Sequence, residues 1–352
     1  GIVIGPDVLG LADGDAFIDF FASLGLGMLF FFAGYEIDFE RIRGTPLRLA
    51  AVGWVISLGL AFAVGGILAA AGIVISLVFT GAAMATTAIG TLIPILSDAD
   101  EIKTRFGTYL LAAGAVGEFG PILMITIFFS TTNPISSALV LAAFVVVAVL
   151  AAIFAIRGVG RGWDAFERSL ETSSQLPIRS AVVLVFALAA LAADLGLDIL
   201  LGGFVAGIIT RLAIAGREVS ILESKLSAVG YGFLIPFFFV VSGVEFKLDA
   251  LLSDPAELIK VPIFLGAFLV VRGIPAMLLY RKALDLRDRL ALASFSATEL
   301  PLVVAITTIA IDKGEMRPTT AASLVGAAVL STAIFPLVGL RLRGSRAGVE
   351  GA

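Results

Sequence analysis

The stretch LLAAGAVGEFGPILMITIFF, residues 110–129, indicates the fold class because it is apolar and long enough to cross a lipid bilayer. Its centre carries one charged residue, Glu118, between Gly117 and Gly120. A charge at the bilayer centre costs about 2.5–3.5 kcal/mol on insertion scales, so such residues usually face a protein interior or a water-filled cavity. Pro121 also leaves the carbonyl of Gly117 without its normal helical donor. The stretch therefore predicts a membrane-spanning helix with a buried functional carboxylate.

The composition extends this prediction to the whole chain of 352 residues. Hydrophobic residues make up 59% of the chain and charged residues only 15%. Such a composition predicts an all-α polytopic membrane protein with no soluble domain. The sequence contains no Cys and no His, which excludes disulfides, haem and Cys/His zinc sites. We therefore expect proton chemistry to use carboxylates, with no cofactor, and the net charge of -4 gives no reason to expect nucleic acid.

Apolar runs of about 20 residues predict eleven complete spans within a single transmembrane domain, residues 1–352. Before them, GIVIGPDVLG resembles the end of a further helix, so we expect a partial first span. The long loop after residue 157 should hold a short amphipathic helix on the membrane surface. The approximate limits of the complete spans are 16–34, 47–72, 75–97, 104–130, 134–157, 177–195, 198–215, 230–251, 259–281, 289–311 and 319–341.

Basic residues are divided unevenly between the predicted loops. Of the 24 Lys and Arg residues, 19 fall in every second loop, beginning with the loop that contains Arg41, and one, Arg272, lies inside a span. The remaining loops hold the other four, which are Lys247, Lys260, Lys313 and Arg317. Because cytoplasmic loops are enriched in Lys and Arg, this division predicts that the acidic loop before residue 16 faces the outside.

The second part of the chain repeats the first in the opposite orientation. The motif FFFAGYEIDF, residues 30–39, reappears as FFFVVSGVEFKLD, residues 237–249, and Thr86 corresponds to Thr298 at a similar offset. Seven spans separate the two copies, and because seven is odd, the copies cross the membrane in opposite senses. Inverted repeats of this kind occur in many secondary transporters.

Two of the predicted spans contain polar residues and helix breakers at mid-membrane depth. Thr86 and Thr87 lie among Gly and Pro in the span 75–97, and Glu299 lies at the same depth in 289–311. We expect both helices to be interrupted there and to cross, with free carbonyls and threonine hydroxyls facing a cavity. The ends of half-helices are dipolar and call for fixed charges nearby.

Each candidate residue also has a plainer structural interpretation. Glu118 could form a structural salt bridge with Arg272, which keeps its proton in proteins. Glu299 could be the structural partner of Arg272 or could cap a helix dipole. Thr86 and Thr87 could be packing residues that bond back to their own backbone. These alternatives stay open at the level of the sequence.

Several motifs follow one another in a characteristic order: GIVIGPDVLG, LFFFAGYEIDFERIRG, the ATT run followed by Pro94, AGAVGEFGPI, LLGGFVAGIITR, IPFFFVVSGVEFKLD and the embedded Arg272. Together they resemble the monovalent cation:proton antiporter-2 family, which includes bacterial sodium/proton exchangers and Kef-type potassium/proton systems. The resemblance implies an inverted-repeat sodium/proton antiporter fold with a core, about 75–130 and 259–341, that moves like an elevator. The remaining helices would then form a scaffold and dimerisation domain.

The resemblance also implies roles for individual residues. Glu118 corresponds to the ion-binding acid, Thr86 and Thr87 to the helix break, and Arg272 to the basic position on the tenth span. The expected protein is then a homodimer in the inner membrane of a bacterium that exchanges Na⁺ or K⁺ for H⁺, and not an enzyme. Many members have Asp, often two in a row, where this chain has Gly117-Glu118. A single carboxylate favours electroneutral exchange, with Arg272 and Glu299 as a supporting charge pair.

Two other functions remain compatible with the sequence. A Kef-like gated potassium efflux channel would use the same mid-membrane groups, and a sodium-coupled organic-anion symporter could be built from the same crossed helices. The sequence does not distinguish Na⁺ from K⁺, nor does it give the physiological direction of transport.

Overall fold

A computed structural model describes residues 1–37, 39–128, 134–170, 172–197, 199–214, 219–252 and 255–344. Within these ranges the chain is helical and contains no strand. The sixteen α-helices of this part are α1 Ala16–Tyr35, α2 Phe39–Ile42, α3 Thr45–Ala70, α4 Leu77–Met84, α5 Ile89–Asp98, α6 Arg105–Phe128, α7 Pro134–Leu170, α8 Leu176–Asp194, α9 Ile199–Ala213, α10 Ser220–Val229, α11 Ile235–Val244, α12 Leu248–Leu252, α13 Pro255–Leu279, α14 Leu286–Ser296, α15 Pro301–Asp312 and α16 Pro318–Arg343.

The helices confirm the prediction of a polytopic membrane protein. Ten helical segments in the described part are long and apolar enough to cross a membrane, and α9 adds a shorter apolar helix. The pairs α4–α5, α10–α11 and α14–α15 each count as one of these segments. The chain is therefore a multi-pass membrane protein.

The predicted start of one span differs from the structure. The span predicted at 230–251 begins instead at Ser220, because Glu223 and Lys225 lower the hydropathy of a helix whose Leu222 and Leu226 are buried. A π-helical turn, Gly230–Leu234, joins α10 to α11.

The region after residue 157 also differs from its prediction. Helix α7 continues unbroken through 37 residues, so no separate amphipathic helix follows it. At 1.5 Å per residue such a helix is roughly 55 Å long, well beyond the ~30 Å of a hydrocarbon core. The residues before α1 form turns rather than a helix.

The first of two compact units comprises Gly1–Asp38 and Ile122–Glu245. In this unit α1 packs against α9 and α11, and α8 packs against α9. The motif LLGGFVAGIITR lies in α9, where a Cβ at Gly207 would overlap the carbonyl of Phe31. Small residues are thus required because the two helix backbones approach closely.

The second unit comprises Phe39–Pro121 and Phe246–Ala352. Within it α13 packs against α3, α14 and α16, and α15 packs against α4 and α16. Whether these helices move as a transport core stays a prediction. This unit contains all the predicted site residues, which are Thr86, Thr87, Glu118, Arg272 and Glu299.

A buried charge cluster joins three elements of the second unit. The guanidinium of Arg343, at the end of α16, contacts both carboxylate oxygens of Glu101 at 2.8 and 2.9 Å. It also donates to Asp288, in the first turn of α14, at 2.7 Å. Glu101 follows α5, so Arg343 connects the far ends of α5 and α14.

Candidate functional site

The first interruption is residues 85–88, between α4 and α5. The indole Nε1 of Trp54 donates to the carbonyl of Ala85 at 3.1 Å. The hydroxyl of Thr86 donates to the carbonyl of Ala83 at 3.0 Å. Side chains therefore satisfy carbonyls that a continuous helix would have bonded internally. The predicted interruption is confirmed.

The second interruption is residues 297–300, between α14 and α15. Pro301 starts α15 because a proline has no N–H to donate and fits the first turn of a helix. The backbone N–H of Glu299 donates to the hydroxyl of Ser331 at 2.9 Å. Its carbonyl accepts from Ser331 and Thr332 at 3.0 and 3.3 Å. Helix α16 thus bonds both the N–H and the carbonyl of Glu299 in this interruption.

The two interruptions touch each other directly. The backbone N–H of Ala88 donates to the carbonyl of Thr298 at 2.8 Å. The hydroxyl of Thr87 donates to the carbonyl of Ser296 at 2.6 Å. The predicted crossing of two discontinuous helices is therefore confirmed.

Glu118 lies in α6 against the start of α5, and only 1% of its surface is exposed. The backbone N–H groups of Ile89 and Gly90, the first residues of α5, lie against its carboxyl group, and the N–H of Ile89 also donates to the carbonyl of Thr87 at 3.0 Å. Free N–H groups at a helix N-terminus favour a negative charge. The second carboxyl oxygen, Oε2, has no hydrogen-bond partner in the part of the chain that the structure describes. A proton or a small cation would satisfy this buried oxygen.

Pro121 has the consequence predicted for it. The carbonyl of Gly117, deprived of its helical donor, accepts the backbone N–H of Thr87 at 3.1 Å. A Cβ at Gly117 would overlap the guanidinium of Arg272 and the side chain of Thr87. This position therefore needs a glycine because another helix approaches it closely.

Arg272 contacts only neutral acceptors among the residues that the structure describes. Its Nε donates to the hydroxyl of Thr87 at 2.9 Å and to the carbonyl of Ser296 at 3.3 Å. Nη1 donates to the hydroxyl of Ser57 at 3.2 Å, and Nη2 to the carbonyl of Ala113 at 3.3 Å. Arg272 thus fastens α13 to α3, α6 and both interruptions.

Neither buried acid forms a direct salt bridge with Arg272. The described ion pairs within 4.0 Å all lie elsewhere. Glu299 is fully buried, and neither of its carboxyl oxygens has a hydrogen-bond partner in the described ranges. The Glu299 carboxyl group interacts electrostatically with Arg272 and also with the side chain of Thr86.

Three more buried oxygens on the interrupted helices lack a partner in the described part. They are the hydroxyl oxygens of Thr80, Thr91 and Thr298. Most buried polar groups in proteins are hydrogen-bonded, so this concentration of unsatisfied oxygens needs an explanation. Oxygen atoms of this kind can complete the shell of a partly dehydrated cation or of ordered water.

The sequence prediction missed two residues of this site, Ser57 and Trp54. Ser57 could have been found from the repeat, because it precedes Arg272 by 215 residues, close to the 212 residues that separate Thr86 from Thr298. Trp54 gave no such signal, because a single aromatic residue in an apolar span is usually a packing residue.

Comparison with known proteins gives the family. Residues 1–340 match the family model described as sodium/hydrogen exchanger, transmembrane. The chain is 27% identical over 360 residues to the putative Na⁺/H⁺ antiporter YjbQ of Bacillus subtilis, covering 96% of this chain and 56% of that protein. It is 26% identical over 264 residues to the Na⁺/H⁺-K⁺ antiporter GerN of Bacillus cereus, covering 71% of this chain and 64% of that protein. It therefore spans less than two thirds of either relative's length.

A solved structure shares the fold. The sodium proton antiporter MjNhaP1 from Methanocaldococcus jannaschii superposes with a TM-score of 0.61, and the match covers 99% of this chain and 88% of that one. The identity is 18%, so this likeness is evidence of fold alone. It confirms the antiporter fold that the resemblance implied. Because the family model matches nearly the whole chain, this protein belongs to the sodium/hydrogen exchanger family of transmembrane proteins.

Proposed function

We propose that this chain exchanges a monovalent cation, Na⁺ or K⁺, for a proton across a membrane. The family membership and the printed names of the two Bacillus relatives support antiport rather than a gated channel or an organic-anion symporter. The same comparisons name transporters, and we propose that the chain has no enzymatic activity.

One observation carries the proposal, the environment of Glu118. Its carboxyl group is buried, receives two backbone N–H groups at the start of α5, and keeps one oxygen unsatisfied in the described part of the chain. A bare charge in that place is costly, so a proton or a cation must neutralise it before the site can cross the membrane interior. Competition of the two for one carboxylate would couple their fluxes.

The remaining charges of the site support one-for-one exchange. Arg272 keeps its charge and Glu299 offers an opposite charge at longer range, so we assign them as a fixed pair. The site then carries the same total charge with a proton on Glu118 as with a cation beside it. Such exchange moves no net charge, and its rate should not depend on membrane potential.

Thr86 and Thr87 would have supporting roles in cation binding. Thr87 is hydrogen-bonded to Arg272 and adjoins Gly117, the neighbour of Glu118. Thr86 bonds back to Ala83 and acts on Glu299. We propose that oxygen atoms of this segment complete the cation's shell, while Glu118 supplies the charge.

We further propose the architecture and location that the resemblance implies. Residues of about 75–130 and 259–341 would form the moving core, and the other helices a scaffold through which two copies form a homodimer. The two relatives from Bacillus species support the plasma membrane of a bacterium as its location.

The direct test replaces Glu118 by Gln. The amide oxygen of Gln can still accept the N–H groups of Ile89 and Gly90, but it cannot carry the exchanged charge. We expect Glu118→Gln to abolish Na⁺- and K⁺-dependent proton flux in proteoliposomes and to leave thermal unfolding unchanged. Glu40→Gln, at an exposed position of the same unit, is the matched control and should exchange normally.

Other outcomes of the same experiment distinguish the rival functions. Undiminished exchange in Glu118→Gln would refute the assignment of this residue. A voltage-dependent K⁺ current without proton movement would identify a channel, and uptake of a labelled organic acid would identify a symporter.

A further inference from the structure

A cavity lies beside Arg272 within the second unit, between α3, α6, α13 and α14. Its volume is about 20 Å³. Polar residues in its wall are Arg272, Ser57, Ser296 and Tyr280, and the remainder, which includes Trp54, is apolar or aromatic. No acidic residue lines it in the described part of the chain. Glu118 is not among its lining residues, so the cavity does not include the carboxylate proposed to bind the cation.

The guanidinium of Arg272 has hydrogen-bond donors to spare at this cavity. It is 95% buried and has five N–H donors, of which each terminal nitrogen carries two. Nη1 and Nη2 each have one acceptor among the described residues, Ser57 and Ala113 respectively. At least one N–H on each terminal nitrogen therefore lacks an acceptor there. Ser296 bonds through its carbonyl, and its hydroxyl makes no hydrogen bond in the described ranges.

The charge around the cavity favours a negative ligand. No carboxylate lies within 4.0 Å of the guanidinium in the described part, and the walls away from it are mostly apolar. A fixed positive charge between low-dielectric walls attracts anions and repels cations. Glu299 acts on Arg272 electrostatically but does not line the cavity, so the N–H groups of Arg272 that lack an acceptor have no carboxylate to bind there.

We propose that this cavity binds a small inorganic anion of about the size of chloride, held by Arg272 and the hydroxyl of Ser296. At about 20 Å³ the cavity has room for little more than one water-sized group, which fits a monoatomic ion. The anion site stands on the cavity and on the donors of Arg272.

A consequence for transport rests on the proposed function. Arg272 adjoins Thr87 and Gly117, so its charge opposes a cation at Glu118. An anion beside Arg272 offsets that repulsion, and the anion and the cation then bind cooperatively.

Binding can be measured through Trp54, which lines the cavity and is one of two tryptophans in the chain. In a Trp163→Phe background, iodide should quench the fluorescence of Trp54 in detergent-solubilised protein. We expect saturable quenching that chloride reverses and gluconate does not. Quenching that rises linearly with iodide, without saturation or competition, would overturn the anion site.

Substitutions in the cavity wall test whether the iodide quenching arises from binding in this cavity. Ala276→Leu fills the cavity, and Ser296→Ala removes a hydroxyl while keeping the carbonyl that Thr87 and Arg272 use. Each should weaken iodide binding at least several-fold. Gly53→Ala narrows the cavity with only ordinary contacts, 3.5 Å from Leu279 and 3.7 Å from Pro275, and serves if Ala276→Leu does not fold.

Gly266→Ala is the control for these variants, because it lies on the same helix α13 with open space around its Cβ position. It should bind iodide as the parent does. Unchanged iodide binding in all three cavity variants would overturn the proposed location.

The functional arm compares the KM for Na⁺ or K⁺ in chloride and in gluconate. We expect a lower KM in chloride for the parent protein and no difference for Ala276→Leu. Equal KM values in chloride and in gluconate for the parent protein, together with saturable quenching, would overturn the cooperativity. The anion site itself would stand. Absence of exchange in both anions would refute the proposed function instead, and the quenching result would be unaffected.

Discussion

The two interrupted helices of the second unit meet at one point but differ in which segment supplies the buried acidic residue. The first interruption, 85–88, contains no charged residue, and Glu118 reaches it from a neighbouring helix. The second, 297–300, contains its own acid, Glu299.

The backbone contacts differ in the same way. In the second interruption, hydroxyls of Ser331 and Thr332 hold both the N–H and the carbonyl of the acidic residue. In the first, the N–H groups of Ile89 and Gly90 are directed at the acid itself. A charge that arrives from another helix can be neutralised without disturbing the backbone of the interruption. We therefore expect substitutions at the first interruption to reduce exchange, and those at the second to leave exchange close to normal.

The largest loss of stability should come from Arg343→Ala, because this residue holds the far ends of both interrupted helices. The change removes a buried guanidinium from Glu101 and Asp288, and loss of one partner of a buried ion pair costs about 3–5 kcal/mol. A thermal unfolding curve in detergent should move strongly to lower temperature. Arg341→Ala, at an exposed position on the same helix, should change stability by no more than about 0.5 kcal/mol.

Gly117→Ala should damage exchange most among changes at the first interruption. The new methyl group would displace Arg272 or Thr87, and overpacking of this kind costs roughly 1–3 kcal/mol. We expect cation-dependent proton flux to fall at least about tenfold, which corresponds to roughly 1.4 kcal/mol. Gly66→Ala, with open space at its Cβ position in α3, should leave flux intact. Normal flux in Gly117→Ala would contradict the close packing at this point.

One threonine from each interruption gives a sharper comparison. Thr87→Val removes the acceptor for Arg272 and the donor to Ser296, at a cost of about 1.5 kcal/mol. Thr298→Val replaces a buried hydroxyl that makes no hydrogen bond in the described residues, so stability should stay equal or rise slightly. Chemical denaturation of the two variants tests the difference. A greater loss in Thr298→Val would show that its hydroxyl has a partner, such as ordered water.

Ser331→Ala should have a smaller effect than Thr87→Val. It removes the hydroxyl that bonds the N–H and the carbonyl of Glu299, although Thr332 still donates to that carbonyl. We expect a loss of about 1 kcal/mol in unfolding free energy and exchange close to normal. Exchange that becomes sensitive to membrane potential in this variant would mean that the clamp on Glu299 also sets the charge balance.

The features that the sequence predicted are those with a local physical cause. A carboxylate in an apolar run, Gly and Pro in mid-span, and a proline four residues after Gly117 each restrict the chain wherever it packs. From them the sequence predicted the two interruptions, the buried position of Glu118 and the carbonyl of Gly117 that lacks its helical donor. The structure shows all three.

What the sequence did not predict depends on packing between distant segments. Trp54 bonds Ala85, and Ser57 bonds Arg272, across separations that no local pattern encodes. The start of α10 was missed because polar residues on one side of a helix mask the buried leucines on the other.

The hydrogen bond between the carbonyl of Gly117 and the N–H of Thr87 joins this part of α6 to the first interruption. Sliding one past the other would strand both groups in an apolar medium, where each unsatisfied group costs several kcal/mol. Glu118 and the amides that receive it should therefore travel together during any conformational change. The coordination geometry would then be alike at the two faces of the membrane, and the cation affinities measured from either side should be similar.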